Sequence, residues 1–457
     1  MKALKELRRY PTAVAGMVIL AIFVIVSIYT VIAIPYSEAI RLWRPGDVHV
    51  ENPSRAAPVY HDWFTSDRLA RTIIVTLESE GVSITEESIG DGRKLVEIML
   101  PFEFQYDRFP TELALRHTWT WETQRPDVSV SWVKPDGEVL DLHPGEETLH
   151  RNRFPVYYIS QDADLQGMLG RMARPEERAP TLSPRVGLFA RDITDRDQGP
   201  MQGEYALIVR AEMAEGDSVS GIRLRIYGEV HGWAGTDHRR RDLGVALLWG
   251  APIGLMFGVV AAIGAQVSTF ILAGIGTWFG GRLDNVFQKA TELTMILPNL
   301  AVLIMIAHLY DPSIYRILGI VILLNVFSAS YKVYRAMFLQ SKELPYIEAS
   351  RAYGAGNFRI IFRYLLPRMV PVLLPQFVII VPVFVFLEAS LAVLGLGDPV
   401  LPTWGKVLND AYATRALVTG HYYWILQPAL LLMTIGFGFA MVGFALDRVV
   451  NPRLRTL

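Results

Sequence analysis

The chain has 457 residues, of which 51% are hydrophobic and only 19% are charged. In soluble proteins about a quarter of the residues are charged. The lower charged fraction of this chain therefore indicates lipid-facing surface and not an ordinary soluble domain. The formal net charge of −1 gives no reason to expect nucleic-acid binding, and the lack of cysteine excludes disulfides and thiolate metal sites.

The first predicted element is a membrane-spanning helix over residues 12–34. This run holds no charged residue and, at about 1.5 Å per residue, is long enough to cross a ~30 Å hydrocarbon core. It is longer than the apolar core of a cleaved signal peptide, so we predict that it is retained. Basic residues precede it at Lys2, Lys5, Arg8 and Arg9, which predicts a cytoplasmic N-terminus.

A β-rich segment follows over residues 36–230. Its short stretches of β-branched and aromatic residues, some alternating with polar ones, are typical of half-buried strands. These stretches are residues 71–79, 94–100, 113–123, 128–133 and 204–213. Turn signals at Gly90-Asp91-Gly92 and Pro135-Asp136-Gly137 separate some of them. We predict an extracytoplasmic β-sandwich, of which the immunoglobulin fold is one form.

Hydrophobic runs return near residue 243 and predict five further spans. They cover residues 244–279, 286–308, 314–336, 368–396 and 422–446. The predicted fold is therefore a bundle of about six transmembrane helices with the β-rich domain inserted between the first two. An even number of spans places the C-terminus in the cytoplasm, and Arg448, Arg453 and Arg455 agree with that side. The run Arg239-Arg240-Arg241 conflicts with it, because this topology places those three charges outside.

The loop between the fourth and fifth predicted spans has the pattern of a bent pair of helices, here called the elbow (residues 341–367). Residues 343–353 are compatible with a helix, which Gly354 and Gly356 interrupt. A second short helix is predicted from Asn357, ending near Pro367, since proline disrupts a helix interior. The elbow is rich in basic side chains and falls on the cytoplasmic side.

The elbow resembles the EAA motif of bacterial ABC-importer permeases, in which Glu-Ala-Ala precedes a Gly and then an Ile-x-Leu-Pro ending. The residues that match at the family spacing are Glu348, Ala349, Gly354, Leu366 and Pro367. Ser350 replaces the second Ala, and Tyr364 replaces the usual Ile. The resemblance implies that the elbow, including Arg351, docks on an ATP-hydrolysing subunit and passes its motion to the membrane helices.

Further segments of the C-terminal half resemble the second permease subunit of dipeptide, oligopeptide and nickel importers. In chain order they are Gly235-Thr236-Asp237, Gly280 to Asp284, Glu388-Ala389-Ser390, Leu394 to Gly397, Pro402-Thr403-Trp404-Gly405 and Asn451 to Leu454. Two departures from the family pattern are Gly232-Trp233, where a proline is usual, and Arg240, where a glycine is usual. These departures, with the long insertion, leave the solute and the mode of docking open.

Ionisable residues inside predicted spans are candidates for the translocation pathway, because they are costly there. Glu292 is predicted to pair with Lys289 one turn before it, which is favoured over contact with solute. Glu388 either contacts solute at an outer gate or, as we favour, makes a hydrogen bond between subunits. His308 and Asp447 are predicted to lie at the membrane interfaces.

The chain has no GxxxxGK[ST] loop, so it is not expected to bind ATP, and no catalytic or metal-binding motif is evident. The resemblance implies a non-catalytic inner-membrane permease without its own cofactor. The implied partners are a homologous permease, two ATPases that hold ATP and Mg²⁺, an extracytoplasmic solute-binding protein and membrane lipid. The predicted regions are 1–35, the β-rich domain 36–230 and the permease core 231–457. A membrane-anchored sensor or scaffold with a ligand-binding ectodomain is the alternative.

Overall fold

The computed structural model describes residues 10–44, 50–122, 125–142, 156–178, 180–195, 198–310 and 313–450. The chain forms two compact units. One is helical and contains Met1–Arg44 and Leu243–Leu457; the other is β-rich and contains Pro45–Asp242. The N-terminal basic residues, the segment Asn451 to Leu454 and the arginines after Arg448 lie outside the described residues.

The helical unit is built from eleven labelled helices in its described part. They are α1 (Pro11–Ala33), α2 (Tyr36–Trp43), α3 (Leu243–Phe279), α4 (Gly281–Ile296), α5 (Asn299–Leu309), α6 (Ile314–Val326), α7 (Ala329–Lys342), α8 (Pro345–Ala352), α9 (Leu366–Val393), α10 (Trp404–Ala413) and α11 (Tyr423–Val450). A three-residue helix, Asn357–Arg359, and a π-helical turn, Ile360–Leu365, lead into α9 without a break.

Four helices of the described residues are long and apolar enough to cross a membrane, namely α1, α3, the continuous helix Asn357–Val393 and α11. Two bent pairs raise the number to as many as six when each pair counts as one span. The first pair is α4 with α5, bent by 83°, and the second is α6 with α7, bent by 45°. A transmembrane-capable helical core is confirmed, and the count of six stays a prediction.

Helix α3 lies at the centre of the helical unit and packs against α1, α6, α7 and α9. Small residues permit these close approaches. A side chain at Gly258 would meet the Val381 and Val385 side chains of α9, and one at Gly264 would meet Ile322 of α6. These two glycines of α3 therefore pack within the chain.

The β-rich unit contains two antiparallel sheets. The strands are β1 (Ile73–Thr76), β2 (Ser83–Gly90), β3 (Arg93–Phe104), β4 (Glu112–Thr120), β5 (Asp127–Val133), β6 (Val139–Asp141), β7 (Val156–Tyr157), β8 (Gly203–Ala214) and β9 (Ser218–Tyr227). One sheet has the order β1-β9-β4-β7 and the other β2-β3-β8-β5-β6. Short helices at Ala163–Ala173 and Pro184–Gly187 lie between β7 and β8.

The two sheets share one hydrophobic core, so the predicted β-rich fold is confirmed. Alternate residues of β3 and β8 turn inward, as period-2 strands require, and they meet buried residues of β4 and β9. Rings of Phe102, Phe104, Trp132, Phe189 and Tyr205 pack together at its centre, with the closest centroids 4.7 Å apart. The indole N–H of Trp132 donates to the Leu188 carbonyl at 3.1 Å, which satisfies this buried donor.

The strand order is related to that of an immunoglobulin sandwich, in which strands A-B-E-D form one sheet and G-F-C the other. Strands β2, β3, β8 and β5 occupy the places of A, B, E and D, whereas β4 and β9 occupy those of C and F. The place of G beside β9 is taken by β1, which comes from the beginning of the unit. Strands β6 and β7 extend the two sheets at their edges.

Candidate functional site

The first helix of the elbow, α8, has one buried side and one exposed side. Pro345 starts it, where its missing N–H costs nothing, and the Ile347 side chain is fully buried. Glu348, Ala349 and Arg351 are exposed. The Ser350 hydroxyl donates to the Tyr346 carbonyl at 2.7 Å and so turns back on its own helix. The exposed side of α8 therefore leaves Glu348 and Ala349 accessible to a partner.

Gly354 turns the chain between the two halves of the elbow. Its φ is +76°, a left-handed conformation in which side chains are strained, and nothing lies within 4 Å of where a Cβ would be. The requirement at this position is thus for backbone conformation and not for space. The predicted interruption of the helix after Tyr353 is confirmed.

The second half of the elbow differs from the sequence prediction. We predicted that this helix ends near Pro367, but it runs on through the π-helical turn into α9. Pro367 is the second residue of α9, and the wider π turn before it accommodates a residue without an N–H. Ile360, Ile361 and Leu365 are buried against aromatic residues of α7. The elbow is thereby joined directly to a membrane helix.

Trp278, at the end of α3, connects the elbow to the membrane helices. The Arg351 guanidinium lies over its ring, 4.5 Å from the centroid, and the Lys342 ammonium lies 5.8 Å from the same centroid. Lys342 Nζ also donates to the carbonyls of Thr277 at 3.2 Å and Trp278 at 3.0 Å. These bonds satisfy last-turn carbonyls of α3, where a cation is favourable. We call these three side chains the tryptophan clamp (Trp278, Lys342 and Arg351).

Asp284, predicted from the GGxxD-like turn, forms a forked ion pair with Arg335. Arg335 of α7 donates to it from Nε at 2.8 Å and 3.0 Å, and from Nη2 at 2.6 Å. The Gln288 amide at 2.9 Å and the Tyr331 hydroxyl at 3.3 Å also donate to the carboxylate. The carboxylate is nearly buried, so this fork-shaped pairing fixes α4 to α7.

Trp404 and Gly405 join α10 to the membrane helices. The Trp404 indole N–H donates to the Leu247 carbonyl of α3 at 2.9 Å, and the ring lies against Gly250. A side chain at Gly405 would meet the backbone of Ala389 in α9 at 2.8 Å. These residues thus hold α10 tightly between α3 and α9.

The predicted Gly235-Thr236-Asp237 segment belongs to the β-rich unit, where it makes structural contacts. The buried Thr236 hydroxyl donates to the Pro53 carbonyl at 2.7 Å and accepts from the Ala56 N–H at 2.9 Å. Asp237 accepts from Arg241 Nε at 2.6 Å, and both side chains are buried. Gly235 has a φ of +81°, which allows the turn between these contacts.

The candidate pathway charges occupy three kinds of environment. Glu292 pairs with Lys332 of α7 at 3.4 Å, so the predicted pairing with Lys289 is corrected: a residue across the helix pair reaches its carboxylate. Glu388 is buried within this chain, and its carboxyl meets the Thr403 side chain. His308 and Asp447 are exposed. In the described part of the chain, no group of three or more His, Asp or Glu side chains is placed to hold a metal ion.

Residues 254–456 match the family described as the binding-protein-dependent transport system inner membrane component. The chain is 31% identical over 224 residues to the dipeptide transport system permease protein of Bacillus subtilis (strain 168), an overlap of 49% of this chain and 69% of that relative. The chain belongs to this permease family. The predicted resemblance to ABC-importer permeases is confirmed.

Two further relatives are permeases of related systems. The permease is 29% identical over 225 residues to the oligopeptide transport system permease protein of Bacillus subtilis (strain 168), an overlap of 49% of this chain and 72% of that protein. It is 31% identical over 226 residues to the peptidoglycan transport system permease protein of Agrobacterium fabrum, covering 48% of this chain and 57% of that protein. The family match falls wholly within the helical unit.

No sequence motif marks three residues that join helices of the permease. Trp278, Arg335 and Lys342 matched no motif. Each acts through a contact between helices that are distant in sequence, which a linear pattern does not encode. The available signal was position alone, since Trp278 ends a long apolar run just before the GGxxD-like turn.

Proposed function

We propose that this permease forms half of the translocation pathway of an ATP-driven importer for peptides or similar small solutes. A homologous permease supplies the other half, two ATPase subunits bind ATP and Mg²⁺, and an extracytoplasmic protein delivers the solute. The observation that carries this proposal is the elbow: an exposed helix side bearing Glu348, backed by a buried side joined to the membrane helices. The family and the peptide-transport relatives support it.

The elbow geometry suits the transfer of motion from an ATPase. An ATPase that moves the exposed side of α8 pulls on Arg351, and the tryptophan clamp connects that residue to the end of α3. The continuous helix from Asn357 connects the same movement to α9. Rocking α3 and α9 together opens the pathway to alternate sides, provided that solute and nucleotide bind the two states with different affinity.

The proposed topology places both termini and the elbow in the cytoplasm, with six spans when each bent pair counts as one. The β-rich unit then lies outside. There it serves either as a docking platform or lid for the solute-binding protein or as an insertion that stabilises the importer. The conflict raised by Arg239 to Arg241 is reduced, because Arg240 pairs with Glu112 and Arg241 with Asp237.

The test is purification of the chain with a C-terminal tag from native membranes, followed by mass spectrometry of what accompanies it. We expect a second permease and ATPase subunits in near-equal amounts. Glu348→Ala should lower solute uptake about tenfold or more, because a charged contact at such an interface contributes at least about 1.4 kcal/mol. Glu343→Ala, an exposed carboxylate preceding α8, is the matched control and should keep wild-type uptake.

An absence of ATPase subunits, even after crosslinking through residues 341–363, would contradict the proposal. The sensor or scaffold alternative would then be the function to pursue. Equal uptake by the Glu348→Ala and Glu343→Ala variants would retain the importer but remove the elbow as its coupling device.

A further inference from the structure

The segment just after the elbow turn has an exposed face that the ATPase-coupling proposal leaves unexplained. We call residues 357–365 the arm. On its inner face, Ile360, Ile361 and Leu365 are fully buried. On its outer face, Phe358 is 65% exposed and Phe362 is 48% exposed, and both neighbouring arginines are exposed too. Two large exposed aromatic rings beside two cations form an amphipathic surface.

The two cations of this surface have no acidic partner in the described part of the chain. Neither Arg359 nor Arg363 has a carboxylate within 4 Å among the described residues, whereas Arg335 and Lys332 of the neighbouring α7 both do. The two residues are one helical turn apart, as are Phe358 and Phe362. The arm thus presents a positive strip directly beside an aromatic strip.

The position of the arm relative to the membrane follows from its contact with α3 and from the length of its own helix. The Phe358 ring contacts the Phe279 ring edge to face, with centroids 6.1 Å apart. Phe279 is the last residue of α3, one of the helices able to cross a membrane, so the arm lies beside the end of a span. The continuous helix Asn357–Val393 has 37 residues, or about 55 Å at 1.5 Å per residue. A ~30 Å hydrocarbon core cannot contain all of it.

We propose that the arm binds anionic phospholipid headgroups at the membrane interface, with Arg359 and Arg363 on the phosphates and Phe358 and Phe362 at the boundary with the acyl chains. Amphipathic aromatic and basic residues gather at this depth, and the cytoplasmic leaflet attracts basic side chains. The choice of leaflet rests on the proposed function, which places the elbow in the cytoplasm. Bound lipid keeps the start of α9 at the depth of the membrane interface while α8 moves.

The test uses the full-length permease purified in mild detergent with whatever subunits accompany it. Phosphatidylglycerol is titrated against the protein, with phosphatidylcholine in a parallel series, and retained lipid is counted by native mass spectrometry. We expect wild type to retain phosphatidylglycerol at concentrations where phosphatidylcholine is lost. In the Arg359→Gln/Arg363→Gln variant, phosphatidylglycerol affinity should fall roughly 30-fold, about fivefold for each charge removed.

Two further variants make the result specific. Arg359→Lys/Arg363→Lys keeps both charges and should restore most of the affinity, which separates lost charge from misfolding. Arg316→Gln/Arg415→Gln removes two exposed arginines elsewhere in the helical unit and should leave affinity at the wild-type value. Equal phosphatidylglycerol binding by wild type and the Arg359→Gln/Arg363→Gln variant overturns the proposal.

The same samples separate a lipid surface from a protein surface. If the Arg359→Gln/Arg363→Gln variant keeps its lipid but loses its ATPase subunits, the arm faces an acidic protein surface and the lipid proposal fails. If wild-type permease carries no ATPase but still shows arginine-dependent phosphatidylglycerol binding, the proposed function fails and the lipid site stands.

Discussion

At the scale of single residues, the Asp284 carboxylate shows how one ion pair can carry stability. Asp284→Asn keeps the side-chain volume but leaves the partly buried Arg335 guanidinium without its charge partner. We expect this variant to be about 2–3 kcal/mol less stable, since removing one partner of a desolvated pair costs far more than the pair itself contributes. Thermal unfolding in a constant detergent and lipid mixture measures the change.

The matched control is the other ion pair between the same two helices. The Glu292 and Lys332 side chains are 57% and 45% exposed, so Glu292→Gln should change stability by less than about 1 kcal/mol. Equal destabilisation by Asp284→Asn and Glu292→Gln would mean that the forked Arg335 contact does not hold α4 to α7.

The sequence identifies the three arginines at 239–241 as charged, but it does not show which side chains surround them. The sequence shows three arginines at 239–241 in a region predicted to lie outside, which counts against the topology. The fold shows that Arg240 lies 4.5 Å from the Tyr227 ring centroid and pairs with Glu112, while the buried Arg241 pairs with Asp237. Such pairs join residues up to 128 positions apart, and a count of positive charges near a span cannot contain them.

At the scale of elements, the tryptophan clamp predicts a separation of coupling from catalysis. Trp278→Leu removes the ring over which Arg351 and Lys342 lie, and a cation over an aromatic ring is worth about 0.5–1 kcal/mol at an exposed site. The elbow should then move without α3. We expect ATP hydrolysis by the assembled importer to continue, while solute transported per ATP falls about fivefold or more, as measured in proteoliposomes.

Trp278→Phe is the control for that experiment, because it keeps an aromatic face at the same position. Its transport per ATP should stay close to the wild-type value. If the leucine and phenylalanine variants have the same ratio of transport to hydrolysis, the clamp is structural only, and the coupling passes through another contact.

Gly250 of α3 lies against the Trp404 ring, so the close packing of α10 on α3 depends on the absence of a side chain there. A Cβ there would lie 2.2 Å from Trp404 Cδ1, so Gly250→Ala must push the indole away from α3 and break its hydrogen bond to Leu247. We expect a loss of about 1–3 kcal/mol, as for other overpacked cores. The thermal midpoint in detergent reports the loss.

Gly254, one turn further along α3, is the matched control. A Cβ at this position would lie 3.6 Å from the Val385 side chain, an ordinary contact. Gly254→Ala should therefore be neutral or stabilising by up to about 1 kcal/mol, because alanine favours the helix. If both alanine variants were equally stable, close packing of Trp404 on α3 would not be important for the fold.

The predicted elements were most accurate where hydrophobic pattern and span length coincide. The predicted spans that correspond to α3 and α11 follow from long apolar runs of the sequence. All five predicted strand stretches are confirmed, as β1, β3, β4, β5 and β8. The exposed β2 was missed because none of its side chains is buried and it has no apolar alternation to detect. The 83° bend before α5 was also missed, since hydropathy continues across Leu297-Pro298.

At the scale of the whole molecule, the division into a helical and a β-rich unit follows from composition, whereas the chain path does not. Alternating strands predict a sandwich, but they do not predict that β1 takes the place beside β9 that a C-terminal strand holds in immunoglobulin domains. That pairing depends on strands about 150 positions apart in the chain. The borders of the inserted domain at 35 and 230 stay predictions.

The independent core of the β-rich unit predicts that residues 45–242 fold without the membrane helices. The unit has its own compact contacts and a core that both sheets share. Expressed alone, it should give a β-type circular dichroism spectrum and a single cooperative unfolding transition. Trp132→Ala removes a fully buried ring and should cost about 3–5 kcal/mol. Trp63→Ala removes one that is 83% exposed and should change stability by less than about 0.5 kcal/mol. If the excised unit does not unfold cooperatively, its core forms only when the helical unit is attached. If the two alanine variants have equal effects, the Trp132 ring does not hold that core together.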